Sequence, residues 1–107
     1  MKIAEINNRH ILFDNGNKIT FAHYQDCCEH NYADFEQLDD LARNAKFDSR
    51  LDFEAINNCG FRFGNKPNNM HFVPCYSEQN GYYTREIDIY YNGNQVLGFN
   101  AKFVSDW

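Results

Sequence analysis

Residues 82–103 read YYTREIDIYYNGNQVLGFNAKF, and the alternation of this stretch decides the class of fold. Apolar and polar residues alternate on both sides of the Asn-Gly dipeptide at 92–93, as they do in strands that bury one face. Asn-Gly readily takes the positive φ angles of a type I′ turn, whose twist matches that of two paired strands. The stretch therefore predicts an antiparallel hairpin with Ile87, Ile89 and Leu97 on its apolar face.

Two further Asn-Gly dipeptides, at residues 15–16 and 80–81, also lie between strand-like runs. The first joins residues 10–13 to residues 18–23, and the alternation of the second run carries His23 inward at the strand end. We expect tight turns at both dipeptides, with the flanking strands paired.

The middle of the chain mixes helical and extended patterns. Apolar residues at helical spacing are Phe35, Leu38, Leu41, Ala42 and Ala45. Asp34 followed by Gln37 resembles a capping box, so the segment predicts a helix of three turns. A short strand through residues 32–35 is the alternative. Further short strands are predicted at residues 51–55, 60–64 and 71–76.

These elements together predict an α+β fold. Six or seven short strands follow one another as a curved antiparallel meander, a partly closed barrel-like sheet, with one helix after the second strand. A chain of 107 residues has the length of one domain, and we find neither a repeat nor a linker. We therefore expect residues 1–107 to fold as a single domain.

The chain is acidic, with ten Lys and Arg against 15 Asp and Glu and a net charge of −5. No Lys or Arg interrupts the segment from residue 26 to residue 40, which contains six carboxylates: Asp26, Glu29, Asp34, Glu36, Asp39 and Asp40. Negative charge repels phosphate backbones, so nucleic-acid binding is disfavoured. The segment suits a basic protein partner, or else a solvated face that keeps the domain soluble.

The start of the chain has no apolar leader, and no run approaches the roughly 18 apolar residues that span a bilayer. We expect a cytoplasmic protein that does not contact membranes. In that compartment the four cysteines are expected to be reduced.

Residues 25–29 read QDCCE and lie between His23 and His30, which makes this the densest stretch of titratable side chains. Imidazoles and thiolates are the ligands that zinc prefers. The candidate zinc ligands are His23, Cys27, Cys28 and Cys75. Adjacent cysteines point in different directions, so one of the pair joins His23 more easily than both do. We favour the alternative without a cofactor, in which a thiol packs as a small apolar residue.

A cysteine nucleophile at the same place is disfavoured. Asp26 and Glu29 oppose the formation of a thiolate, and no Gly-rich oxyanion or phosphate loop is recognisable. We therefore consider an enzyme less well supported than a protein without catalytic activity.

Tyrosines cluster around the second Asn-Gly dipeptide, at Tyr76, Tyr82 and Tyr83. Rigid amphipathic rings beside a turn are typical of recognition surfaces. The alternative is that these rings pack across a strand pair and hold its register.

The QDCCE motif at 25–29, with Asn-Gly-Tyr-Tyr at 80–83 and Ile87-Asp88, resembles a family of small bacterial and phage proteins described as a domain of unknown function. The resemblance implies an association with phage or mobile elements. It implies neither a substrate nor a catalytic residue, because the family has no assigned activity. Similar sequences have Ser or another small polar residue where this chain has His30.

The function that the sequence favours is that of a small non-enzymatic module that binds another protein through an acidic face. The candidate binding residues are Asp26, Glu29, Asp39, Asp40, Tyr82 and Tyr83. A metal- or thiol-dependent enzyme centred on Cys27 and Cys28 is one alternative. A structural component of a larger assembly is the other.

Overall fold

The computed structural model describes residues 1–23 and 29–105, and within these ranges the chain forms ten strands. The strands are β1 (Ile3–Ile6), β2 (His10–Phe13), β3 (Lys18–Ala22), β4 (His30–Ala33), β5 (Asp52–Ile56), β6 (Gly60–Asn65), β7 (Asn69–Gln79), β8 (Glu86–Tyr91), β9 (Asn94–Asn100) and β10 (Lys102–Ser105). Between β4 and β5 lie a 3₁₀ turn (Phe35–Gln37) and the short helix α1 (Asp40–Asn44). Strands account for 56% of the described residues and helical turns for 8%.

The strands form two sheets. The first has the order β1-β2-β3-β8-β9 with antiparallel neighbours throughout. The second is built on the long strand β7, which pairs with β6 along its first half and with β4 and β10 along its second half. The strand β5 extends this sheet beside β6, and β10 runs parallel to β7.

The core lies between the two sheets. Phe13 of β2 lies 6.4 Å from Phe63 of β6, measured between ring centroids, and Phe61 of β6 lies 6.3 Å from Phe99 of β9. Buried side chains from both sheets form one hydrophobic cluster, which the 3₁₀ turn joins through Phe35. Burial of one face of each sheet accounts for the alternating pattern of the strands.

The predicted α+β fold is wrong. The chain is mostly β and has two sheets instead of one curved meander, and the described residues form no closed barrel. Within the described ranges, β3 follows the second strand directly and the helical turns come after β4, so the predicted helix after the second strand is not there. The meander prediction failed because it paired successive strands, whereas β3 pairs with the distant strand β8.

The predicted three-turn helix is also wrong. Leu38 has an extended backbone, with φ −61° and ψ 132°, and separates the 3₁₀ turn from α1. The interruption leaves Leu41 exposed and Ala42 buried. The Asp34 side chain does not cap the backbone; the cap is Asp39, whose Oδ1 accepts a hydrogen bond of 2.9 Å from the Ala42 amide.

The hairpin predicted at residues 82–103 is confirmed in its central part. Asn92 and Gly93 have φ angles of 52° and 81°, as a type I′ turn requires, and Ile89 pairs with Leu97. The hairpin of β2 and β3 is confirmed as well. Its turn is of another type, because Gly16 has a positive φ and the preceding Asn does not.

The dipeptide at residues 80–81 does not form a hairpin. It follows β7 of the second sheet and leads to β8 of the first sheet, so the chain crosses between the sheets at this point.

The alternation of β3 does carry His23 inward, since its side chain is 13% exposed. Among the described residues, no helix has the length and apolar character that a membrane span requires.

Candidate functional site

The outward side of β4 and of the second half of β7 presents a group of polar and aromatic side chains. Tyr32 lies directly across from Tyr76, and His30 directly across from Glu78. Because side chains alternate along a strand, the intervening residues point into the protein instead. The name tyrosine face denotes these four outward side chains together with Asp34, Glu36 and Gln37 of the following turn.

The rings of the tyrosine face contact one another in a row. The His30 ring stacks on the Tyr32 ring at a centroid distance of 4.7 Å and an interplanar angle of 27°. The Tyr32 and Tyr76 rings lie 5.6 Å apart at an angle of 45°. Contacts of this kind between cross-strand neighbours fix the orientation of the rings.

A hydrogen bond ties the row to a carboxylate. The Tyr32 hydroxyl donates to Oε1 of Glu78 at 3.0 Å. Burial, this hydrogen bond, and the negative charges of Glu78 and Asp34 raise the pKa of Tyr32 from 10.0 to about 12. Tyr32 therefore remains a neutral hydrogen-bond donor throughout the physiological pH range.

The 3₁₀ turn closes one side of the tyrosine face. The Gln37 amide donates a 2.6 Å hydrogen bond to Asp34 Oδ2 and a 3.3 Å hydrogen bond to the Tyr76 hydroxyl. These contacts connect the Asp34 carboxylate to β7 through one planar side chain. Asp34 and Gln37, which resemble a capping box in the sequence, therefore hold the edge of the tyrosine face in place.

A cavity of about 380 Å³ opens beside Tyr32. Its walls include Asn8, Arg9, Phe21, Tyr32, Asp34 and Glu36. Aromatic rings, the carboxylates of Asp34 and Glu36 and the guanidinium of Arg9 all line the cavity, so it combines apolar contact with charges of both signs. Pockets of a few hundred Å³ with a small number of polar groups are typical of ligand sites.

In the part of the chain that the structure describes, the carboxylates of the 3₁₀ turn and α1 are not paired with lysine or arginine. Within the ranges that the structure describes, Asp34, Glu36, Asp39 and Asp40 form no ion pair. The nearby Arg43 instead donates to two backbone carbonyls, those of Leu38 and Glu36, at 3.0 and 3.1 Å. The negative charge of this segment is therefore available to a partner.

The tyrosines at 82 and 83 lie on the connection between the sheets. Tyr82 is 87% exposed, and the Tyr83 amide donates a hydrogen bond of 2.8 Å to Oε1 of the buried Gln79. The buried Asn31 donates to the Thr84 carbonyl at 3.1 Å. Two interior amide side chains thus hold a loop whose tip presents an aromatic ring.

The other predicted binding residues lie in different surroundings. Asp39 and Asp40 are exposed at the start of α1. The Glu29 carboxylate is buried, with Oε1 at 3.8 Å from Nδ1 of His23, so it does not face solvent. Asp26 lies outside the described residues.

The predicted zinc ligands are only partly covered by the structure, because Cys27 and Cys28 also lie outside the described residues. Cys75 is fully buried in the core, and burial raises the pKa of its thiol. The described residues contain no group of three His, Cys, Asp or Glu side chains arranged to hold a metal ion. The zinc site and the thiol enzyme therefore stay predictions.

The sequence pattern associates Tyr76 with Tyr82 and Tyr83, and the pairing of Tyr32 with Tyr76 was missed. The strand predicted at 71–76 continues to Gln79, and its inward positions there are the polar Ser77 and Gln79, which do not extend an apolar alternation. Each strand has two outward residues separated by one position, His30 and Tyr32 in β4 and Tyr76 and Glu78 in β7. This shared spacing was the available signal that the two strands pair.

Comparison of the chain with protein-family models, with curated proteins and with solved structures found no match.

Proposed function

We propose that this chain is a non-enzymatic module that binds a basic protein through the tyrosine face and the adjoining carboxylates of α1. The observation that carries the proposal is the fixed row of outward rings at Tyr32 and Tyr76, set beside carboxylates without a lysine or arginine partner in the described part of the chain.

The rings supply a contact area whose geometry is set before binding. Tyr32 is held by Glu78, and Tyr76 is held by Gln37, so neither side chain has to be ordered when a partner arrives. Ordering a flexible side chain costs about 0.5–1.5 kcal/mol on association. Tyrosine is also enriched among the residues that dominate interface energetics.

The carboxylates determine which partners are favoured. Glu36 and Asp40 are exposed, and the net charge of the chain is −5. Complementary charge increases the rate of encounter with a basic surface and disfavours acidic partners. The cytoplasmic location and the phage association that the sequence suggested are compatible with such a module and stay predictions.

Site-specific photocrosslinking in the native cells tests the proposal. A benzoylphenylalanine introduced at Tyr76 is expected to capture a basic protein as a discrete adduct, whereas the same group at Val96, on β9 of the other sheet, captures none. The double variant Glu36→Lys, Asp40→Lys should abolish the adduct. Asp39 is left unchanged, because its carboxylate caps α1.

The matched control is Asp48→Lys with Glu86→Lys, two exposed carboxylates that belong neither to the tyrosine face nor to α1 and that produce the same change of net charge. This control should retain the adduct. Equal crosslinking at both positions, loss of the adduct in both Lys variants, or an adduct made of two copies of the chain would contradict the proposal.

A further inference from the structure

We propose that the cavity beside Tyr32 receives an arginine side chain of the partner. This inference rests on the proposed function and assigns a specific contact to it. The cavity measures about 380 Å³, which suits one long side chain and its water rather than a folded element. Two features of its walls, the rings and the carboxylates, select a guanidinium group.

The rings provide a surface for a flat cation. Tyr32 and Phe21 both line the cavity, and Phe21 packs on the buried Phe35 with ring centroids 5.8 Å apart. A guanidinium group over an aromatic ring gains about 0.5–1 kcal/mol at an exposed site and more when water is excluded. Arginine is also less strongly hydrated than lysine and stacks better.

The carboxylates provide planar acceptors. Asp34 Oδ2 accepts from Gln37 at 2.6 Å, which orients the group, and Glu36 at the same cavity is exposed. A guanidinium donates two parallel hydrogen bonds to a carboxylate, which an ammonium group does not. The Asp34 carboxylate is thus preorganised for arginine before the partner binds.

Among the described residues that line this cavity, Arg9 is the one with a permanent positive charge. Within the described ranges Arg9 forms no ion pair, so its guanidinium is not neutralised by Asp34 or Glu36. A second guanidinium entering the cavity is repelled by Arg9, whereas an anionic ligand would be attracted by it. Replacing Arg9 should therefore strengthen the binding of a cationic ligand and weaken the binding of an anionic one. The direction of the change identifies the sign of the ligand's charge.

The test is a titration of the isotope-labelled chain with N-acetyl-arginine amide, followed through its backbone amide resonances. The shifts should be largest near residues 8–9 and 32–36, with millimolar affinity. N-acetyl-lysine amide should bind more weakly, and N-acetyl-norleucine amide should leave the spectrum unchanged. Tyr32→Leu and Glu36→Gln should each weaken binding by about three-fold or more, the size of one exposed cation–π or charged contact.

Arg9→Gln should instead strengthen binding by about two-fold to five-fold, since a like charge is removed. Asp48→Asn, a neutralised carboxylate away from the cavity, should change nothing. If Tyr32→Leu does not fold, Asp34→Asn tests the carboxylate contact instead and should likewise weaken binding. An equal response to the lysine or norleucine amide, or weaker binding by Arg9→Gln, overturns the inference.

The two proposals fail separately. Persistent crosslinking at Tyr76 with no response to N-acetyl-arginine amide overturns the arginine site and leaves the binding module in place. A response confined to residues 8–9 and 32–36, without any adduct at Tyr76, supports the site and counts against the module.

Discussion

The Tyr32 hydroxyl donates a hydrogen bond of 3.0 Å to the Glu78 carboxylate across the pairing of β4 with β7. The bond runs diagonally, because the residue directly opposite Tyr32 is Tyr76. One carboxylate therefore orients the ring on which both the His30 and the Tyr76 rings rest.

Glu78→Gln should lower the pKa of Tyr32 from its value of about 12. Burial is the largest cause of the raised pKa and persists in the variant, so we expect a partial return toward 10.0. The hydrogen bond to a carboxylate and the negative charge of Glu78 are the contributions removed. A pH titration of tyrosine ring carbon resonances measures the change, and an unaltered pKa would show that the Glu78 contact does not matter.

The same raised pKa predicts how stability depends on pH. The unfolded tyrosine ionises near 10.0 and the folded Tyr32 near 12, so above pH 10 the unfolded state loses protons first. The contribution of Tyr32 is therefore fully present below pH 10 and is lost as the pH rises toward 12. Urea unfolding at several pH values should show a smaller loss over this range in Tyr32→Phe than in the parent chain.

Gln79→Leu should destabilise the chain by about 2–3 kcal/mol, because it leaves buried polar partners without their hydrogen bonds. Gln79 is fully buried and bonds the Tyr83 amide at 2.8 Å, the Ser77 hydroxyl at 2.6 Å and the Thr84 carbonyl at 3.2 Å. Hydrogen exchange of the Tyr83 amide should accelerate more than exchange within β8.

The control for this prediction is Asn44→Ala. Asn44 also uses its amide to bond a backbone carbonyl, that of Asp40 at 2.8 Å, but on the exposed surface of α1. Its loss should cost about 0.5 kcal/mol or less. If urea unfolding gives equal losses for the two variants, the interior amide of Gln79 does not hold the loop.

The sequence predicts those parts of the fold that local pairing decides. The turn at Asn92 and Gly93 brings adjacent residues together, so alternation and turn chemistry were sufficient for that hairpin. The pairing of Phe21 with Ile89 joins strands far apart in the chain, and the sequence of neither strand indicates which strand it pairs with. The number of sheets follows from such long-range pairings, which explains why the meander prediction failed.

The site was less predictable than the hairpins for a related reason. Tyr32 and Tyr76 are brought together by β4 and β7, whose inward positions include the buried polar residues Asn31 and Ser77. A polar residue on the inner face hides the alternation that marks a strand. Those positions are polar because the connection from Gln79 to β8 needs hydrogen-bond partners in the interior.

Gly64→Ala should destabilise the chain by about 3 kcal/mol or more. Gly64 has φ +143°, and a Cβ there would collide with the Asn69 carbonyl oxygen at the turn between β6 and β7. Overpacking costs about 1–3 kcal/mol, and the backbone strain of a positive φ adds about 1–2 kcal/mol.

Gly16→Ala isolates the strain. Gly16 also has a positive φ, +92°, but a Cβ there meets no atom within 4 Å. We expect a loss of about 1–2 kcal/mol, from the positive φ alone. Equal losses for the two variants in urea unfolding would mean that the backbone at Gly64 moves to accommodate the added methyl group.

Cys59 should react with iodoacetamide in the native protein, whereas Cys75 should not. Cys59 is exposed at the turn between β5 and β6; Cys75 is fully buried, and burial raises the pKa of its thiol. A thiol reacts as its thiolate, so Cys75 lacks both access and ionisation. Peptide mass spectrometry after a timed reaction should find Cys75 modified only once urea unfolds the chain. Rapid native modification of Cys75 would show that β7 opens at the centre of the second sheet and would remove the rigid support that the tyrosine face requires.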